Sequence, residues 1–216
     1  MSGQHFAVLD RVREAGVVPV VEIADADRAV PLAEALLAGG LPVVEVTFRT
    51  QSAAESLRRI SRLVPRVLLI AGTVTSIEQV NVARDAGAAL LIAPGLNREV
   101  VEHALGIGLP MLPGVLTPSE VGAAQSLGLS AVKVFPIEPV GGVRYLRALA
   151  GPFPEMAWSP SGGIAAATVA EYLKVPNVLA CGGSWVAPRA DIEAGRFAEI
   201  ASRAAQAARI VKEARS

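Results

Sequence analysis

The sequence is most telling in what it lacks. Cys181 is the single cysteine among 216 residues, which excludes an intrachain disulfide and a cysteine-based zinc cluster. Histidine is nearly absent too: His5 and His103 are the only two. Both fall in helix-like segments without a second ligand at metal spacing. A metal-dependent reaction is therefore disfavoured, with only Asp and Glu left to hold a magnesium ion, and no cofactor is expected. There is no excess of charge, since 20 Lys and Arg balance 20 Asp and Glu. Neither nucleic acid nor an anionic membrane is then an expected partner, because both select for a basic excess. Zero net charge still permits a local anion site made of backbone amides. No apolar run approaches the ~20 residues of a membrane span. Met1 to Phe6 leads into an amphipathic segment of both charge signs, unlike a signal peptide. A soluble cytoplasmic protein is expected. Aromatic residues are scarce at 4%, against 52% hydrophobic residues in all. The core must be built from Ala, Val, Leu and Ile, which suits helices packed on a buried parallel sheet.

What is present is alternation. Short β-branched runs at 17–23, 43–48, 67–71, 89–93, 111–113, 131–135, 157–160 and 178–181 read as strands. Between them lie Ala-rich charged stretches with apolar residues three and four apart, such as 29–37, 53–63, 77–86, 100–105 and 165–173. Asp25, Thr50, Ser76, Asn97 and Thr117 stand as helix caps, and Gly39-Gly40 and Gly87 stand where helices should stop. An extra helix, Gln4 to Ala15, precedes the first strand. Eight strand–helix units of about 27 residues each suit a compact closed barrel. An open doubly wound sheet is the competing architecture, but the first strand lacks its Gly-x-Gly-x-x-Gly fingerprint. The expected fold is α/β, a single (β/α)8 TIM-barrel domain over residues 1–216 with an added N-terminal helix.

Lys133 is the residue to explain. It sits in the apolar run Ala131-Val132-Lys133-Val134-Phe135-Pro136, where burial disfavours the ammonium. Strand side chains alternate faces. In the sixth predicted strand Val132 and Val134 face the helices, and Ala131, Lys133 and Phe135 face inward. In the second, Val44 and Val46 face the helices, and Val43, Glu45 and Thr47 face inward. An ammonium and a carboxylate thus enter one interior from different strands. The plain alternative is a buried ion pair with no chemistry, but such pairs stabilise poorly compared with apolar replacements.

In a barrel, functional residues gather at the C-terminal strand ends and the loops beyond. There the sequence offers Arg49, Gly72-Thr73-Val74-Thr75, Pro94-Gly95, Ser161-Gly162-Gly163-Ile164 and Gly182-Gly183-Ser184-Trp185. Glycine pairs after the seventh and eighth strands let amides approach a phosphate, aided by a helix N-terminus. Each pair alone could be no more than a tight turn. Arg49 suits a bidentate clamp on a carboxylate, or is simply a solvated arginine at a loop start. A lysine shifted below its usual pKa of about 10.4 can form a Schiff base with a ketone, which is class I aldolase chemistry. Glu22 ends the first strand without an assignable role, and Cys181 reads as a small core residue.

Two blocks carry a family resemblance. Gly40-Leu41-Pro42-Val43-Val44-Glu45-Val46-Thr47-Phe48-Arg49 resembles the glutamate signature of the 2-keto-3-deoxy-6-phosphogluconate (KDPG) and 4-hydroxy-2-oxoglutarate (KHG) aldolases. Gly128-Leu129-Ser130-Ala131-Val132-Lys133-Val134-Phe135-Pro136 resembles their lysine signature. Further matching blocks run in order from Val17-Val18-Pro19-Val20 to Gly182-Gly183-Ser184-Trp185. The resemblance implies a metal-free (α/β)8 barrel, a homotrimer and a phosphorylated 2-keto acid substrate. It makes Lys133 the Schiff-base lysine and Glu45 the general acid/base. Arg49 and Thr73 would hold the pyruvate carboxylate, with Gly72, Pro94 and Phe135 beside them. Ser161, Gly162, Gly163, Gly183 and Ser184 would hold the sugar phosphate end. The chain departs from the pattern at Val134, Ile137 and Ser161. The last two bear on substrate preference rather than reaction type. Two other readings stay open: a pyruvate aldolase preferring the galactonate-derived epimer or another 2-keto acid, and a non-catalytic barrel that binds phosphorylated ligands.

Overall fold

The computed structural model describes residues 3–216, with side chains from Ala7 onward. The sequence readings of Met1, Ser2 and the His5 side chain lie outside the described residues. Helix α1 (Gly3–Ala15) leads into β1 (Val17–Val21), α2 (Ala29–Ala38), β2 (Val43–Thr47), α3 (Ala53–Leu63) and β3 (Leu68–Gly72). The chain continues through α4 (Ile77–Asp85), β4 (Leu90–Ile92), α5 (Arg98–Gly106), β5 (Met111–Leu112), β6 (Gly114–Val115) and α6 (Pro118–Ser126). It ends with β7 (Ala131–Val134), α7 (Gly142–Ala150), β8 (Ala157–Pro160), α8 (Val169–Leu173), β9 (Cys181–Gly183), α9 (Arg189–Glu193) and α10 (Phe197–Arg215).

All strand pairs are parallel. One sheet has the order β5-β4-β3-β2-β1-β9 and the other β6-β7-β8. The fifth predicted strand is thus divided. Pro113 between β5 and β6 has no N–H for a ladder, and its carbonyl accepts from the Lys133 amide at 3.0 Å. At the other side, isolated parallel bridges join Ser161 to Gly182 and Trp158 to Val178.

The two sheets curl so that alternate side chains meet different cores. Val44, Val46, Leu69, Ala71, Leu91, Val132 and Val134 belong to the large cluster shared with the helices. Val43, Leu68, Ile70, Leu90, Ile92, Leu112 and Ala131 form a separate interior cluster, joined by Val12 and Ala15 of α1. The period-two reading of β2 and β7 is borne out by this division. On α3, Ala53, Ser56, Leu57 and Ile60 are buried, the three- and four-residue spacing of an amphipathic helix.

Most boundaries shift by one or two residues from the sequence reading, and three of the differences have a visible cause. The first strand stops at Val21 rather than Ile23, because side-chain hydroxyls take over its carbonyls. Thr47 Oγ1 donates to the Val21 carbonyl at 3.0 Å, Thr50 Oγ1 to the Ile23 carbonyl at 2.6 Å, and Ser52 Oγ to the same oxygen. Thr50 is therefore not a helix cap, whereas Ser76, Asn97 and Thr117 are. The last strand was expected at 178–181 and is found at Cys181–Gly183, in register with Val17–Pro19. Val178 and Leu179 turn instead to Trp158, whose carbonyl accepts from the Leu179 amide at 2.8 Å. The helix expected from Ala165 begins at Val169. Thr168 Oγ1 accepts from the Ala165 amide at 3.2 Å, and turn residues precede the helix.

Two measurements check this packing. Leu57 is fully buried, so Leu57→Ala should cost about 2–5 kcal/mol in urea unfolding, the range for leucine truncation in a packed core. Burial pushes the Cys181 thiol from 9.0 up to about 12. The native protein should leave a disulfide reagent unreacted at pH 8, and one thiol per chain should appear on unfolding. Because the buried thiol stays protonated where the unfolded chain's thiol ionises, the fold should lose stability as pH rises from about 9 towards 12.

Candidate active site

At the C-terminal ends of the strands lies a cavity of about 170 Å³ that Lys133 and Glu45 enter from opposite strands. Both are buried, at 7% and 2% exposure. Lys133 Nζ lies 3.5 Å from Glu45 Oε1, and 5.1 Å from the centroid of the Phe135 ring. At that length the pair is loosely held, which suits a proton carrier better than a structural strut. Gly72 makes the arrangement possible. A Cβ there would stand 2.3 Å from Glu45 Oε1, so only glycine leaves room for the carboxylate.

Arg49 borders the cavity and is paired with Glu22, Nη1 to Oε1 at 2.5 Å. The other oxygen of Glu22 lies 3.7 Å from Arg189 Nη1. Glu22, without a role in the sequence reading, thus braces two arginines. It lies one strand period beyond Val20, which also lines the cavity. Thr73 borders the same space with φ of 57°. A β-branched residue rarely enters this left-handed region, and holding it there costs on the order of 1–3 kcal/mol. Pro94 stands nearby, and its carbonyl would be 2.1 Å from any Cβ at Gly114.

The third wall is made of glycine turns. Gly162 and Gly163 have φ of 99° and 92°. A Cβ on Gly162 would press on Phe135 and Pro136 at 3.0 Å, and one on Gly163 on Glu138 at 2.8 Å. Their backbone is open to the cavity, with Ser161, Ile164 and Ser184 alongside. The helix after this turn starts only at Val169, so an anion would meet loop amides rather than a helix terminus. On β9, Gly182 lines the cavity. Gly183 is one residue out of phase, and its Cβ direction faces Trp185 and Val17.

Of the site residues read from the sequence, Lys133, Glu45, Arg49, Thr73, Pro94, Phe135, Ser161, Gly162, Gly163 and Ser184 converge on this one cavity. Gly72 backs Glu45, and Gly183 stays beside the cavity. Val20, Thr47, Ile164 and Gly182 also line it; Thr47 was read as inward-facing and Ile164 and Gly182 as part of the loop segments, but none of the four was given a role. Strand parity was a sufficient signal for Val20 and Thr47. Glycine carries no such signal for Gly182. Elsewhere, His103 Nε2 pairs with Asn81 Oδ1 at 2.9 Å. Among the described residues no three His, Cys, Asp or Glu side chains converge as a metal-binding group, and no helix is long and apolar enough to cross a membrane.

A buried amine beside a carboxylate, an arginine at the edge and a cradle of amides can together bind and transform an anionic carbonyl compound. Comparisons with known proteins agree. The family model for KDPG and KHG aldolase matches residues 8–203. A 2-dehydro-3-deoxy-phosphogluconate aldolase of Treponema pallidum is 45% identical, over 95% of this chain and 97% of that protein. The solved KDPG aldolase of Legionella pneumophila holds pyruvate captured at low pH as a covalent carbinolamine intermediate. It is 37% identical, with a TM-score of 0.88 over 91% of this chain and 96% of that one. The enzyme of Zymomonas mobilis, solved with 3-phosphoglycerate, is 36% identical with a TM-score of 0.88, over 94% and 96% of the two chains. Sequence, fold and cavity lead to one conclusion: this chain belongs to the KDPG and KHG aldolase family.

Proposed function

We propose that the protein is a class I aldolase that cleaves 2-dehydro-3-deoxy-6-phosphogluconate to pyruvate and glyceraldehyde 3-phosphate. It would also cleave 4-hydroxy-2-oxoglutarate to pyruvate and glyoxylate. The observation that carries this reading is the Lys133 amine, buried within the cavity and 3.5 Å from the Glu45 carboxylate. The carbinolamine of the Legionella relative supports it from the side of chemistry.

Lys133, once deprotonated, adds to the C2 ketone of the substrate and gives a carbinolamine. Glu45 is near enough to supply the proton with which the hydroxyl leaves as water. The resulting iminium is an electron sink. Glu45, now a carboxylate, takes the C4 hydroxyl proton through a water as the C3–C4 bond breaks. The bonding pair moves into an enamine, and the aldehyde departs. Returning that proton to C3 regenerates the iminium, and water releases pyruvate and the free amine. One carboxylate serves every step because each step resets its proton. Arg49 and Thr73 hold the carboxylate of the keto acid. The amides of Gly162, Gly163 and Gly183, with Ser161 and Ser184, receive the phosphate.

The same reading makes the two sheets one closed eight-stranded (β/α)8 barrel in a single domain over 1–216. Pro113 joins β5 to β6 in one strand, and the bridges at Ser161 and Trp158 span the remaining seam. The homotrimer implied by the family resemblance belongs to this proposal, and sedimentation equilibrium should give the mass of three chains.

Borohydride reduction with pyruvate, followed by intact mass and peptide mapping, tests the mechanism. Wild type should gain one reduced pyruvate adduct at Lys133. Lys133→Ala should form none and lose cleavage below detection while keeping its circular dichroism spectrum. Glu45→Gln should still trap pyruvate slowly, with kcat down about 10²–10⁴-fold, the usual worth of general acid–base catalysis. An adduct and turnover that survive Lys133→Ala would refute the assignment.

A further inference from the structure

Behind the Gly162–Gly163 turn lies a polar pair that the reaction itself does not use. Tyr172 of α8 is 1% exposed, and its hydroxyl donates to Glu138 Oε1 at 2.6 Å. Glu138 opens a short 3-10 turn, Glu138–Val140, just after β7. Gly142, with φ of 61°, leaves room for the pair. A Cβ there would be 3.1 Å from the Tyr172 hydroxyl and 3.3 Å from Glu138 Oε2.

Glu138 is bound to the glycine turn in two ways. Its amide donates to the Gly162 carbonyl at 3.1 Å, and the preceding Ile137 amide donates to the Ser161 carbonyl at 2.9 Å. Its stem also packs against Gly163, whose missing Cβ would lie 2.8 Å from Glu138 Cβ. A carboxylate is therefore rooted beside amides that have to receive an anion. Left to rotate, it would repel an incoming phosphate or take its place on those amides. The hydrogen bond from Tyr172 holds it. Burial and the neighbouring carboxylate both raise the phenol pKa, so the tyrosine stays a donor throughout the working pH range.

We propose that Tyr172 and Glu138 are a positioning pair for the phosphate end of the substrate, in which the phenol restrains a carboxylate that would otherwise compete with phosphate for the Gly162–Gly163 turn. This rests on reading that turn as the phosphate cradle. The pair acts through the loop, so its loss should be felt by phosphorylated ligands alone.

The test compares wild type, Tyr172→Phe, Glu138→Gln and the double variant. Three quantities are read: KM and kcat for the phosphorylated keto acid, the inhibition constant of inorganic phosphate, and the rate of borohydride trapping with pyruvate. Tyr172→Phe should raise KM and the phosphate inhibition constant together by about tenfold, the scale of one lost hydrogen bond to a charged group. Its kcat and pyruvate trapping should stay within about twofold of wild type. Glu138→Gln keeps an acceptor for the phenol and should resemble wild type. In the double variant, removing the charge should bring KM back towards wild type. Equal losses with pyruvate and with the phosphorylated substrate would mean a merely structural role and overturn the proposal. So would an unchanged KM in Tyr172→Phe, or no recovery in the double variant. Failure of the cradle reading would appear separately, as wild type that inorganic phosphate does not inhibit competitively. That too would overturn the proposal.

Discussion

A single buried pair, Lys133 against Glu45, organises the molecule. Two ionisable groups held in a small interior are expensive, and their 3.5 Å separation recovers only part of that cost. The surrounding structure has to be strong enough to carry them. It does so by dividing its apolar residues between two cores. The larger, between strands and helices, supplies most of the hydrophobic stabilisation. The smaller, inside the curled sheets, fills the volume below the pair with Val43, Leu68, Ile70, Leu90 and Leu112. The charged residues are thereby lifted to the rim, where the strands end and loops begin.

Small residues then shape the space that remains. Gly72 yields its side-chain volume to Glu45, Gly114 to the Pro94 carbonyl, and Gly182 to the Ser161 hydroxyl. Each is a place where a methyl group would collide with a residue that lines the cavity. Thr73 illustrates the opposite device: a residue kept in an unfavourable backbone state so that it faces the cavity. Precision at the site comes from backbone close approach, and the scarcity of large aromatic side chains is consistent with that design.

Much of this was legible in the sequence. Alternation in Val43–Thr47 and Ala131–Phe135 was enough to turn Glu45 and Lys133 to the same side, because a strand offers only two faces. The glycine pairs after the last two predicted strands marked one wall of the cavity. What the sequence hid depends on partners distant along the chain. Glu22 acquires its meaning only when Arg49 and Arg189 are brought beside it. The first strand stops early because hydroxyls of Thr47, Thr50 and Ser52 reach its carbonyls, an event invisible in the strand's own residues. Gly182 and Gly183 could not be told apart in phase, since neither has a side chain whose polarity reveals a face.

The packing of α1 has a kinetic corollary. Val12 and Ala15 pack into the interior apolar cluster, which fills the interior on the α1 side and leaves the loop end as the doorway to Lys133 and Glu45. On the proposed imine, the three-carbon fragment would stay tethered to Lys133, above that cluster, while the aldehyde fragment would form on the doorway side. Departure would then be sequential: the aldehyde first and pyruvate second, with pyruvate entering ahead of its partner in the condensation direction.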